Sequence, residues 1–235
     1  MFRINSRIQG IAATSLLCVI TLAACGDSGG GGKSNADLLK EAAANMKTAT
    51  SYHMDANVEQ DGTPVKLTGD IDLANKNVKL DIEAQDQKIS VITVDGKSYL
   101  SMDGGTTYSE TDQGAAITSS LASFTGMWDT FKPEDVDKAK DALKDGNPPT
   151  ETIDGVSTKH IVADAKDLSL LNTTGTDTPN AMEGTLELWL GPTDKPYVRQ
   201  MKIDGTSDGT PIKGTLTWSK INEKLDIKAP EVKAP

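Results

Sequence analysis

From Ser51 onward the apolar residues recur at every second position, and this period limits the chain more than any other feature. Val65, Leu67, Ile71 and Leu73 alternate with Lys66, Thr68, Asp70 and Asp72; Val78, Leu80 and Ile82 alternate with Lys79, Asp81 and Glu83. Successive side chains of a strand point to opposite faces, so the pattern predicts half-buried strands with one wet face. Strands covered on both sides in a parallel sheet would read as continuous apolar runs, so the sheet is expected to be antiparallel. Asp61-Gly62, Asp95-Gly96 and the run Asn75, Lys76, Asn77 fall between the alternating segments and read as hairpin turns. The first half thus predicts a meander over 51–60, 64–73, 78–84, 88–94 and 97–102. Strands are expected again at 150–154, 156–163, 184–191, 196–205, 211–219 and 224–228.

Three stretches carry a helical period instead. Ser34, followed three residues later by Asp37, makes a near capping box before Leu38, Leu39, Ala42 and Met46. Ile117, Leu121, Phe124, Trp128 and Phe131 recur at spacings that place them on one helical face. Another helix is expected from Pro133 to about Lys144, with Glu134 and Asp135 in its first turn and Gly146 and the Pro148-Pro149 pair closing it. Residues 172–184 are polar and read as a loop. No internal repeat is present, and the order helix, strands, helices, strands predicts an α+β domain: a single strongly curved antiparallel sheet with helices on one face.

The first 34 residues obey different rules. Arg3 and Arg7 form a basic region, Ile11 to Leu22 a short apolar run, and small residues precede Cys25, the layout of an export signal. The apolar run is too short to span a bilayer comfortably. Leu22-Ala23-Ala24-Cys25 resembles the bacterial lipobox, which implies diacylglyceryl transfer to the Cys25 sulfur, cleavage before Cys25 and acylation of the new amino terminus. A signal peptide over 1–24, a lipidated Cys25 with a glycine-rich linker over 25–33 and a folded domain over 34–235 are therefore expected. Gly32-Lys33-Ser34 is no phosphate loop, because position 27, where the motif needs glycine, is Asp27.

Cleavage would leave 211 of the 235 residues and remove two arginines, moving the net charge from −10 to −12. A surface so acidic disfavours nucleic acid and anionic headgroups as partners. Cys18 would be lost and Cys25 would be a thioether, so the mature domain would contain neither thiol nor disulfide, although exported. The only histidines, His53 and His160, stand in no zinc motif and read as satisfied, half-buried side chains. Gly155-Val156-Ser157-Thr158-Lys159 lacks the last glycine of a nucleophile elbow. Asp70, Asp72 and Asp81 alternate with apolar residues and read as a solvated strand face, not as acid/base pairs. The residues 70–77 miss the glycine of a calcium loop. No enzyme activity and no cofactor are expected.

With the lipobox, the helix of 37–58 that runs into the first strand, "VDGKSYL" at 94–100, "TIDGVSTKHIVAD" at 152–164, "LELWLGPTDKPYVRQMKIDG" at 186–205 and "LDIKAPEV" at 225–232, the chain resembles the mycobacterial LppX/LprG family of lipoproteins, which have a LolA/LolB-like fold. The resemblance implies an open half-barrel of antiparallel strands whose concave face, covered by helices, encloses an apolar cavity for the acyl chains of lipids or lipoglycans. Where a tryptophan would be expected after the 94–97 hairpin this chain has Tyr108, which implies a smaller or more aliphatic cavity.

The resulting expectation is a lipid-anchored binding or carrier protein on the outer face of the bacterial cytoplasmic membrane or in the cell envelope, with an envelope transport protein as a further partner. Burial of acyl chains supplies affinity at about 0.8 kcal/mol per methylene and needs no catalytic group. Leu121, Phe124, Met127 and Trp128 from the helical cover, and Leu188, Met201, Leu216 and Trp218 from strands, are the candidate lining residues. Periodicity marks them as buried, but does not say whether against a ligand or against each other. The alternative is an envelope interaction or signalling module of the same fold with a filled core. A transporter's solute-binding protein fits less well, since two α/β lobes would be expected.

Overall fold

A computed structural model describes residues 33–112, 128, 131–167, 182–207 and 209–232. The first helix, α1 (Asn35–Lys47), starts where its cap places it: the Ser34 hydroxyl accepts the Asp37 N–H at 3.1 Å. Six strands follow: β1 (Ser51–Gln60), β2 (Thr63–Asp72), β3 (Asn77–Ala84), β4 (Gln87–Val94), β5 (Lys97–Ser101) and the two-residue β6 (Ser109–Glu110). A short helix α2 (Pro133–Ala139) passes into a 3-10 turn, and then come β7 (Lys144–Ile153), β8 (Val156–Asp164), β9 (Met182–Gly191), β10 (Tyr197–Ser207) and β11 (Thr210–Ser219).

All described strands join one open antiparallel sheet in the order β6-β5-β4-β3-β2-β1-β11-β10-β9-β8-β7. The expected α+β class and single open sheet hold. Two-residue turns connect the hairpins with positive φ at both positions, at Asp61-Gly62, Gln85-Asp86, Asp95-Gly96 and Asp154-Gly155. That geometry matches the twist of the flanking strands. The two halves of the chain meet where β1 pairs with β11, Met54 opposite Trp218 and Ala56 opposite Leu216. Both sheet edges are poor templates for further pairing: β6 is very short, and β7 carries Pro148 and Pro149.

The register carries the alternation of each strand across the sheet. One row of paired residues runs Ile161, Leu188, Met201, Leu216, Ala56, Leu67, and continues to Ile82 and Ile89. A strand slipped by one residue would turn its whole apolar set to water, so burial of this face fixes the pairing. The buried residues of α1, among them Leu38, Leu39, Ala42 and Met46, belong to the same core cluster as this row. The Lys40 ammonium lies 2.8 Å from Asp137, tying α1 to α2, and Asn45 donates to the Pro196 carbonyl at 2.7 Å.

Three boundaries differ from expectation. The helix expected to about Lys144 ends at Ala139 with one 3-10 turn after it, and β7 starts at Lys144 instead of 150. Gly146 and the proline pair, which read as a helix stop, instead make an irregular stretch within β7, where the register with β8 shifts between Asp145 and Thr150. Residues 224–228 form no strand. β11 is already paired on both sides, so the chain beyond it has no free edge there and crosses the opposite face as an extended strap. Asn222 fixes its start by accepting the Thr50 N–H at 2.8 Å, Ile227 packs on Ile92, Val94 and Tyr99, and Val232 bridges Tyr108. The loop expected at 172–184 falls mostly outside the described residues.

A Cβ on Gly146 would stand 2.1 Å from Nδ1 of His160, so the backbone lies flush against that ring. Gly146→Ala is expected to displace the ring and to cost about 1–3 kcal/mol, read from urea unfolding. An unchanged midpoint would show that the β7 irregularity has slack.

Candidate functional site

Of the eight candidate lining residues, five are described. Trp128, Leu188, Met201, Leu216 and Trp218 all belong to a single buried cluster on the α1-covered face. Leu121, Phe124 and Met127 lie outside the described residues, as does Cys25. The Trp128 and Trp218 rings meet edge to face, centroids 5.6 Å apart and planes at 67°, an arrangement favoured by the ring quadrupoles.

The sequence did not single out a groove of about 310 Å³ on the solvent-side face of the sheet. Its floor is the row Val65, Val58, Gly214 and Ile203, which stand opposite one another across β2, β1, β11 and β10. Those side chains point to the other face, where Ile203 belongs to the core and Val58 packs against it. The walls are the two flanking rows, Lys66, Asn57, Thr215 and Lys202 on one side and Pro64, Glu59, Lys213 and Asp204 on the other. Alternation marks these residues as solvent-facing, but which of them stand side by side is set by the register. A second concavity of about 370 Å³, around Ala142, Lys144, Asp164 and Thr185, is lined about equally by polar and apolar residues.

Away from the Ile92, Val94 and Tyr99 cluster under the strap, the opposite face carries polar side chains that pair with one another. His160 is buried, stacked on Trp189 at 4.3 Å, with Nδ1 2.9 Å from the Pro148 carbonyl and Nε2 2.9 Å from Glu187. The Trp189 indole donates to Glu151. His53, half-buried, sits 2.6 Å from Asp70 and 3.3 Å from Asp55. Both histidines thus have structural partners, and Asp70 belongs to this solvent-side network. No group of three metal-ligating side chains occurs among the described residues, and no helix among them is long and apolar enough to cross a membrane. Among the described residues no Lys, Arg, Asp or Glu is buried.

An open antiparallel sheet with one apolar face under a helix, and a buried cluster free of charge, defines an α+β domain whose special surface is apolar. The chain belongs to the LppX_LprAFG lipoprotein family, whose model matches residues 34–227. Among solved structures it is similar to lipoprotein LppX of Mycobacterium tuberculosis, with a TM-score of 0.52, 16% identity and coverage of 82% of this chain and 97% of that one. It is also similar to LprF of Mycobacterium bovis, with a TM-score of 0.54, 14% identity and coverage of 83% and 96%. At these identities the likeness is one of fold. No curated protein matches the sequence.

Proposed function

We propose that this protein is a lipid-anchored, extracytoplasmic lipoprotein that binds or carries lipids or lipoglycans by their acyl chains, on the face covered by α1. The observation that carries the reading is the continuous apolar register of that face, from Ile161 through Leu188, Met201, Leu216 and Ala56 to Leu67, lying under α1 with no charged side chain among the described residues buried in it. Acyl chains suit such a surface because their burial requires no charged partner, and none is buried there. In this reading residues 1–24 are a signal peptide, Cys25 carries the anchor, 25–33 are slack, and an envelope transport protein receives or supplies the lipid. The chemistry is binding and release, without a catalytic group.

The competing reading, an interaction module with a filled core, draws on the close packing of Trp128, Leu188, Met201, Leu216 and Trp218. Native mass spectrometry of protein purified without detergent separates the two. Lipid is expected in the parent, and Val58→Trp and Leu121→Trp are expected to lower its occupancy while leaving the unfolding midpoint nearly unchanged. An empty parent, with both variants destabilised by about 1–3 kcal/mol through overpacking, would overturn lipid carriage and favour the filled core.

A further inference from the structure

Three hydrogen-bond donors in the apolar core have no partner among the described residues: the Tyr52 hydroxyl and the indole N–H groups of Trp128 and Trp218. Their residues are 1%, 3% and 1% exposed, so bulk water does not serve them. Buried Tyr and Trp normally find a hydrogen-bond partner, and an unsatisfied buried donor is costly enough to require an explanation. Elsewhere the same chain follows the rule. Trp189 donates to Glu151, and the Tyr197 hydroxyl accepts a hydrogen bond from Asn222 at 2.9 Å.

The three orphans are neighbours. Trp128 and Trp218 touch edge to face. Tyr52 lies two residues before Met54, which stands opposite Trp218 in the β1–β11 ladder. Tyr52 and Trp218 are therefore diagonal neighbours on one face, within reach of each other for aromatic side chains. All three belong to the same core cluster, whose buried members are hydrophobic side chains without carboxylate, amide or guanidinium groups. Burial pushes the Tyr52 phenol up from its ordinary value, so it remains a hydroxyl.

We infer that Tyr52, Trp128 and Trp218 form a polar subsite within the apolar face that accepts an uncharged acceptor oxygen, an ester carbonyl or ether, of the bound lipid. The inference rests on the lipid-binding reading and specifies which part of the lipid lies at this point. Three donors without a competing acceptor suit an oxygen that brings lone pairs. A carboxylate or phosphate would bring them too, but no cation in the cluster would offset the loss of its hydration, and burying an unpaired charge is far more costly than burying an ester.

The test compares three probes of similar chain length delivered from cyclodextrin to the purified full-length protein: ethyl palmitate, octadecane and palmitate. Tryptophan emission reports binding. Ethyl palmitate is expected to bind roughly three- to tenfold more tightly than octadecane, the contribution of a neutral hydrogen bond, and palmitate no better than octadecane. Tyr52→Phe, which removes one oxygen and no packing, is expected to reduce the ester preference while leaving octadecane affinity and the lipid-free unfolding midpoint unchanged or slightly raised. A Tyr52 with a purely structural role would instead lower that midpoint. Equal affinity for ester and hydrocarbon in the parent, or an ester preference untouched by Tyr52→Phe, would overturn the subsite while leaving lipid binding intact. Failure of all three probes to bind would overturn the lipid reading, and this inference with it.

Discussion

Trp218→Ala is expected to cost the folded protein about 3–5 kcal/mol, the range for deleting a large buried aromatic side chain. Trp218 is among the most deeply buried side chains of the chain, packs edge to face on Trp128, and lies on a strand paired on both sides. Neighbours held by two ladders have little room to collapse into the space left, so the cavity persists and its cost is felt nearly in full. Since folded domains are typically stable by only about 5–15 kcal/mol, this change alone would remove a large part of the margin. Urea unfolding of lipid-free protein measures it. A loss below about 1 kcal/mol would show that the ring faces open space instead of packed atoms. Under the lipid reading, added lipid would restore part of the loss, because a ligand of the native state stabilises it by mass action.

Cys25→Ser is expected to abolish lipidation outright. The thiolate is a far better nucleophile than an alcohol, and the serine product could not form the thioether. Stable anchoring needs more than one acyl chain, so under the lipid-anchored reading losing the diacylglyceryl group would remove the main membrane attachment. The variant is expected to incorporate no labelled palmitate and to retain residues 1–24 by intact mass, while the domain from Lys33 onward unfolds at the parent's midpoint. A variant with the parent's mature mass and palmitate content would overturn the role of Cys25.

The fold was legible where a local signal has only one structural outcome. Asp61-Gly62 and Asp95-Gly96 both take positive φ at both residues, and an Asp-Gly pair between alternating segments has few other uses. Ser34 and Asp37 likewise announced the start of α1, because a cap acts within four residues. The misread boundaries are those where the same local signal serves two ends. Gly146, Pro148 and Pro149 stop a helix, but they also suit an irregular edge strand, as in β7. Leu225 and Ile227 alternate with charged residues as in a strand, yet they form a strap because β11 has no free edge.

The sequence by itself determined that strands form, where they turn, and that one side of each is apolar, because side-chain alternation and turn chemistry are set within a few residues of chain. It also marked Trp128, Leu188, Met201, Leu216 and Trp218 as buried. Only the tertiary structure decided that β1 and β11 join the two halves into one sheet, that Asn57, Glu59, Lys202 and Lys213 wall one solvent-side groove, and that Trp189 finds Glu151 while Tyr52, Trp128 and Trp218 find no acceptor among the described residues. Those outcomes depend on pairing between residues far apart in the chain. Periodicity can assign a side chain to a face, but only the sheet register determines what stands across from it.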